Sequence, residues 1–147
     1  MKTHYFPLKG FTLLALLAWC LPDVAAQQLP RARLSSIFPA GGQQGATLDV
    51  TVTGGDLDDS NKLTFSHAGI SAEPKQDANG KAIANQYTVT IVKNVPVGLH
   101  DVRVSGGKYG VTNVRSFAVG DLPELTSNGG NGLENAAEVK LGTIING

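Results

Sequence analysis

Between positions 47 and 53 the chain reads Thr-Leu-Asp-Val-Thr-Val-Thr, placing Leu48, Val50 and Val52 on every second residue. A period of two puts those three side chains on one face of a strand and the threonines with Asp49 on the other, which a helix cannot do. The pattern recurs with Tyr87, Val89 and Ile91 inside Asn85 to Val92, and with Val102 and Val104 inside Leu99 to Val104. β-branched side chains suit such a pleated, half-buried surface. A further strand is expected from about Val111 to Val119, closing on Phe117 and Val119, with shorter ones at Leu34 to Phe38, Leu63 to Ser66 and Ile70 to Ala72. Turn residues separate them: Ala40-Gly41-Gly42, Gly54-Gly55-Asp56, Asp77-Ala78-Asn79-Gly80, Val95-Pro96-Val97-Gly98 and Gly106-Gly107. Glycine supplies positive φ and proline a fixed φ at such sites. No segment from Gln27 to Gly120 keeps a helical period over three turns. About seven short strands in roughly 90 residues predict an all-β fold, an antiparallel two-sheet sandwich of immunoglobulin-like type.

The N-terminus carries a different pattern. Lys2, His4 and Lys9 make a basic start, Phe11 to Leu21 is apolar, and Val24-Ala25-Ala26 offers the small residues that a signal peptidase reads. A cleaved signal peptide over residues 1–26 is expected, cut between Ala26 and Gln27, so the protein is expected to be exported to the periplasm, the cell surface or the medium. Eleven apolar residues at ~1.5 Å each are too short for a membrane anchor, and Pro22 and Asp23 end the run. Lipid attachment at Cys20 is disfavoured by the bulk of Trp19 before it. Cleavage also removes the single cysteine, leaving a mature chain without thiol or disulfide chemistry. Ten Lys and Arg against eleven Asp and Glu remain after position 26. Such a balance makes no positive field for a nucleic-acid backbone, and no later stretch is long and apolar enough to span a bilayer.

Residues 27–33 read as an extended lead-in, 34–120 as the sandwich and 121–133 as a Gly- and Asn-rich linker. In 134–147, Val139 and Leu141 alternate as in a strand and Asn146-Gly147 is a type I′ hairpin signal, so a second β module is expected to begin there and to be cut short.

Ile37-Phe38-Pro39-Ala40-Gly41-Gly42-Gln43-Gln44-Gly45-Ala46-Thr47, then Val50 to Gly54, Val95-Pro96-Val97-Gly98-Leu99-His100-Asp101-Val102-Arg103-Val104 and Phe117-Ala118-Val119 together resemble the IPT/TIG family of immunoglobulin-like domains. The likeness runs from about Leu34 to Val119, in order and spacing. Asp56-Leu57 stands where the family often has a phenylalanine. The tail from Asn135 is similar to the opening of bacterial pre-peptidase C-terminal domains. These resemblances imply a non-catalytic spacer or adhesion module of a larger exported protein, with any catalytic domain lying beyond Gly147. Two further functions stay open: the N-terminal accessory region of a secreted hydrolase such as a protease, and a module binding a protein or carbohydrate at the cell surface.

Few side chains carry chemistry. Asp56, Asp58, Asp59 and Asn61 form the densest oxygen cluster and are the candidate calcium ligands, although an EF-hand loop would need glycine at the place of Asn61 and glutamate at that of His67. His67 and His100 lie 33 residues apart, without the local spacing of a zinc pair. The G-x-S-x-G signature of many serine hydrolases is absent. Tyr109, after Gly106-Gly107-Lys108, is the candidate ligand-binding aromatic. No catalytic residue and no cofactor are expected.

Overall fold

The computed structural model describes residues 1–2, 29–126 and 138–146. The expected signal peptide and the cut between Ala26 and Gln27 lie outside the described residues. Eight strands form two sheets: β1 (Arg33–Phe38), β2 (Gly41–Gln43), β3 (Thr47–Gly55), β4 (Lys62–Phe65), β5 (Ile70–Gln76), β6 (Ala82–Ile91), β7 (Gly98–Ser105) and β8 (Arg115–Gly120). One sheet has the order β1-β3-β6-β5 and the other β2-β8-β7-β4. All pairs within them are antiparallel except β2 with β8. Among the described residues no helix forms, and the expected all-β sandwich is what the chain makes.

The alternation seen in the sequence is what fills the interior. Val50, Val52, Tyr87, Val89 and Ile91 point inward from the first sheet, and Leu63, Val102, Val104, Phe117 and Val119 meet them from the second. Phe65 and Phe117 pack edge to face, their centroids 5.1 Å apart. This is the favoured geometry for two ring quadrupoles. Leu57 and Val95, from loops at opposite ends, plug the two openings.

Three elements depart from the sequence expectation. Ala40-Gly41-Gly42 is not the turn that reverses the first strand. The chain crosses there to the other sheet, and Gly41 to Gln43 run parallel to β8 in register with Ala118, Val119 and Gly120. The reversal comes later, at Gly45, whose φ is +79°. A Cβ on Gly41 would lie within 3 Å of the Ala118 carbonyl oxygen, so the glycine serves a close strand approach.

The last strand of the sandwich starts at Arg115, and Val111 to Val114 are not part of it. Polar side chains hold that segment instead. Thr112 Oγ1 accepts the Val104 N–H at 3.1 Å and donates to the Asn113 carbonyl, while Asn113 reaches Leu34 on β1.

Finally, Val139 and Leu141 lie in coil and turn, and the strand of the tail is β10 (Ile144–Asn146). It pairs in parallel with β9 (Glu124–Thr126), inside the stretch read as linker. Gly147, the second residue of the expected hairpin signal, lies outside the described residues.

The registers place Arg33 opposite Gly55, and Thr47 opposite Thr90 at the far end of β3. Gln44 N–H donates to the Gly120 carbonyl and Ile91 N–H to that of Ala46, so β8 finishes at the Thr47 end. The chain therefore enters the sandwich at one end and leaves it at the other.

Candidate functional site

A concave surface lies at the entry end, a groove of about 550 Å³. One wall is the loop from Asp56 to Asn61 that joins β3 to β4; the other is formed by Pro74 of β5 and the start of β6, Ala82 to Tyr87. Gly54-Gly55 ends β3. Asp56 and Asp59 then take φ of 53° and 59°, and Asn85 across the groove takes 60°. Aspartate and asparagine tolerate this left-handed region better than other side chains with a Cβ.

The loop is tied to the body at four points. Leu57 packs into the core; Tyr87, only 1% exposed, donates its hydroxyl to the Ser60 carbonyl at 3.3 Å; Asn61 N–H donates to Ser105 O; and Asp58 O accepts the Lys108 N–H. Burial of the Tyr87 phenol pushes its pKa above the usual value near 10. Asp56 Oδ2 accepts the Arg31 N–H at 3.2 Å, which fixes the incoming chain to the same loop.

The four candidate calcium ligands thus share one loop, but the carboxylates of Asp56, Asp58 and Asp59 do not form a metal-binding group. Among the described residues no three His, Cys, Asp or Glu side chains come together as a metal site would require. Asp58 and Asp59 stand exposed on the rim. Tyr109 is half-buried in the neighbouring turn, with the Lys108 ammonium 5.3 Å from its ring centroid. That turn sits against the Asp58 to Asn61 wall through Gly106 and Gly107, so Tyr109 and the Asp56 to Asn61 loop share one end of the molecule.

His67 and His100 are brought together at the opposite end, their rings 5.5 Å apart and near perpendicular. The β4–β7 pairing, which sets Phe65 against Val102, does this and is invisible to local spacing. His67 Nδ1 accepts the Gly69 N–H at 3.0 Å, and His100 Nε2 lies 2.8 Å from the Pro96 carbonyl. A carbonyl only accepts, so Nε2 is the donor in this contact. Each ring thereby closes its own loop.

On the outer face of the first sheet, Lys75 Nζ lies 2.8 Å from Asp49 Oδ2 and the Thr88 hydroxyl donates to Oδ1. Those two hydrogen bonds, that from Lys75 being the larger influence, hold the Asp49 carboxyl below the usual range.

A scan against protein-family models finds no family that matches this chain, and a search of the curated proteins finds no match either.

Proposed function

We propose that the chain is a non-catalytic structural and adhesive module of a larger exported protein, working in the periplasm or at the cell surface. One observation carries this most directly: the chain enters at the Arg33–Gly55 end and leaves at the Gly120–Thr47 end. Domain termini often lie close together, and modules built that way hang from a chain as side branches. Termini at opposite ends make the module an in-line spacer, adding roughly the length of its strands, ~3.3 Å per residue, to whatever it connects. The interior supports the same role, because the buried side chains are aliphatic or aromatic with Thr112 the sole buried polar residue among those described. In this role the entry-end groove is the concave surface open to a partner protein or carbohydrate.

Export is the part that a single experiment decides. The 147-residue chain is expressed with its own N-terminus in a bacterial host, the cells are fractionated, and the product is sequenced from its amino end. A periplasmic or extracellular product beginning at Gln27 is expected. A product that stays in the cytoplasm with Met1 in place overturns the proposal.

A further inference from the structure

A β-sandwich with open sheets has edges, and an edge strand with free backbone groups is a template for another chain. The four edges here are protected in different ways. β2 and β4 are three and four residues long, too short to recruit much. β5 carries Pro74, which has no N–H to offer, flanked by Glu73 and Lys75. β1 has neither device. It is six residues long, reads Arg-Leu-Ser-Ser-Ile-Phe with its one charge at the first position, and leaves Phe38 43% exposed at its end.

We propose that Asn113 is the guard of this edge: its side-chain amide takes the place of a neighbouring strand on β1 and keeps a second copy of the chain from pairing there. The Arg33 carbonyl faces β3, since a Cβ built on Gly54 would collide with it, so in an extended strand the groups of Leu34 face outward. Asn113 Oδ1 accepts the Leu34 N–H at 3.0 Å and its Nδ2 donates to the Leu34 carbonyl at 3.1 Å. This two-bond exchange is what a hydrogen-bonded residue pair makes in an antiparallel ladder. Arg115 Nε donates to the same carbonyl at 3.1 Å, filling its second lone pair.

The amide is itself held in place. Thr112, 4% exposed, donates its N–H to the Val104 carbonyl on β7 and accepts the Val104 N–H on Oγ1, and Asn113 Nδ2 also donates to Val114 O. The bulge in β1 between Leu34 and Ser36 adds a second irregularity beside the guarded residue. An unguarded β1 would meet its own copy about a two-fold axis, because an antiparallel pair of identical strands is self-complementary.

The test compares the full chain with Asn113→Ala and with Asn113→Ala/Ser36→Lys, by sedimentation over one concentration series and by circular dichroism. The wild type is expected to stay monomeric. Asn113→Ala should keep its β spectrum and double its apparent mass as concentration rises, and the added lysine on β1 should return it to a monomer. Three results would overturn the proposal: a single variant as monomeric as the wild type, association that persists in the double variant, or a single variant that no longer folds, since Asn113 would then be needed for the fold itself.

Discussion

Replacing Gly41 with alanine separates two accounts of the same residues. If Ala40-Gly41-Gly42 were a solvated turn, an added methyl group would cost little. In the structure a Cβ at position 41 falls within 3 Å of the Ala118 carbonyl oxygen and about 3.0 Å from the Ala118 Cβ. The oxygen belongs to backbone, and β8 cannot retreat because β7 is hydrogen-bonded on its other side. β2 must therefore move away, straining the bonds that bracket it, Ala118 N–H to Ala40 O and Gln44 N–H to Gly120 O, both 2.9 Å. Two hydrogen bonds at ~1 kcal/mol net each, or an overpacking cost of about 1–3 kcal/mol, put the loss near 1–3 kcal/mol. That is a large share of the ~5–15 kcal/mol typical of a domain. With a urea slope of about 2 kcal/mol/M, the midpoint should fall by ~0.5–1.5 M. Gly55→Ala is the control: nothing lies within 4 Å of its Cβ, and a less flexible unfolded chain should leave it neutral or up to ~1 kcal/mol more stable. Equal midpoints for the two variants would refute the β2–β8 pairing.

Phe117→Ala should cost about 3–5 kcal/mol, because a fully buried ring and its edge-to-face contact with Phe65 are both lost; a urea titration reads it directly. Tyr87→Phe removes a long hydrogen bond and should cost no more than ~1 kcal/mol at neutral pH. The raised phenol pKa means that the unfolded chain ionises first, so wild-type stability is intact below about pH 10 and falls as pH climbs through the folded value; the phenylalanine variant should lack this part of the alkaline loss in thermal melts. Asp49 acts in the opposite sense. Its lowered pKa stabilises the fold above the ordinary carboxylate range and loses that effect as pH falls through the folded value, so Asp49→Asn should flatten the acid side of the stability curve, by no more than ~1 kcal/mol since both partners are partly exposed. Ending the chain at Asp121 removes β9 and β10, whose described side chains are exposed or half-exposed, and should leave the urea midpoint unchanged; a substantial drop would show that the tail braces the sandwich.

Most of the sandwich was legible one strand at a time. Leu48, Val50 and Val52, or Tyr87, Val89 and Ile91, declare their buried face through a period of two, because the pleat ties side-chain direction to position whatever the partner strand is. The Asp77 to Gly80 turn was equally legible, since the bonds from the Asn79 and Lys81 N–H groups to Asp77 Oδ1 close within five residues. What local pattern could not reveal depends on which strands become neighbours. Gly41 reads as a turn residue or as a close-packed strand residue from the same missing Cβ, and only β8 lying against it decides between them. His67 and His100 meet because β4 pairs with β7, while the Asp56 to Asn61 loop becomes the wall of a groove because β6 passes opposite. Val111 to Val114 carry enough β-branched residues to suggest a strand, yet Thr112 and Asn113 take backbone partners on β7 and β1 with their side chains. Side-chain direction is a property of a residue and its immediate neighbours, whereas a contact belongs to two segments far apart in the chain and exists only once the sheets have closed on each other.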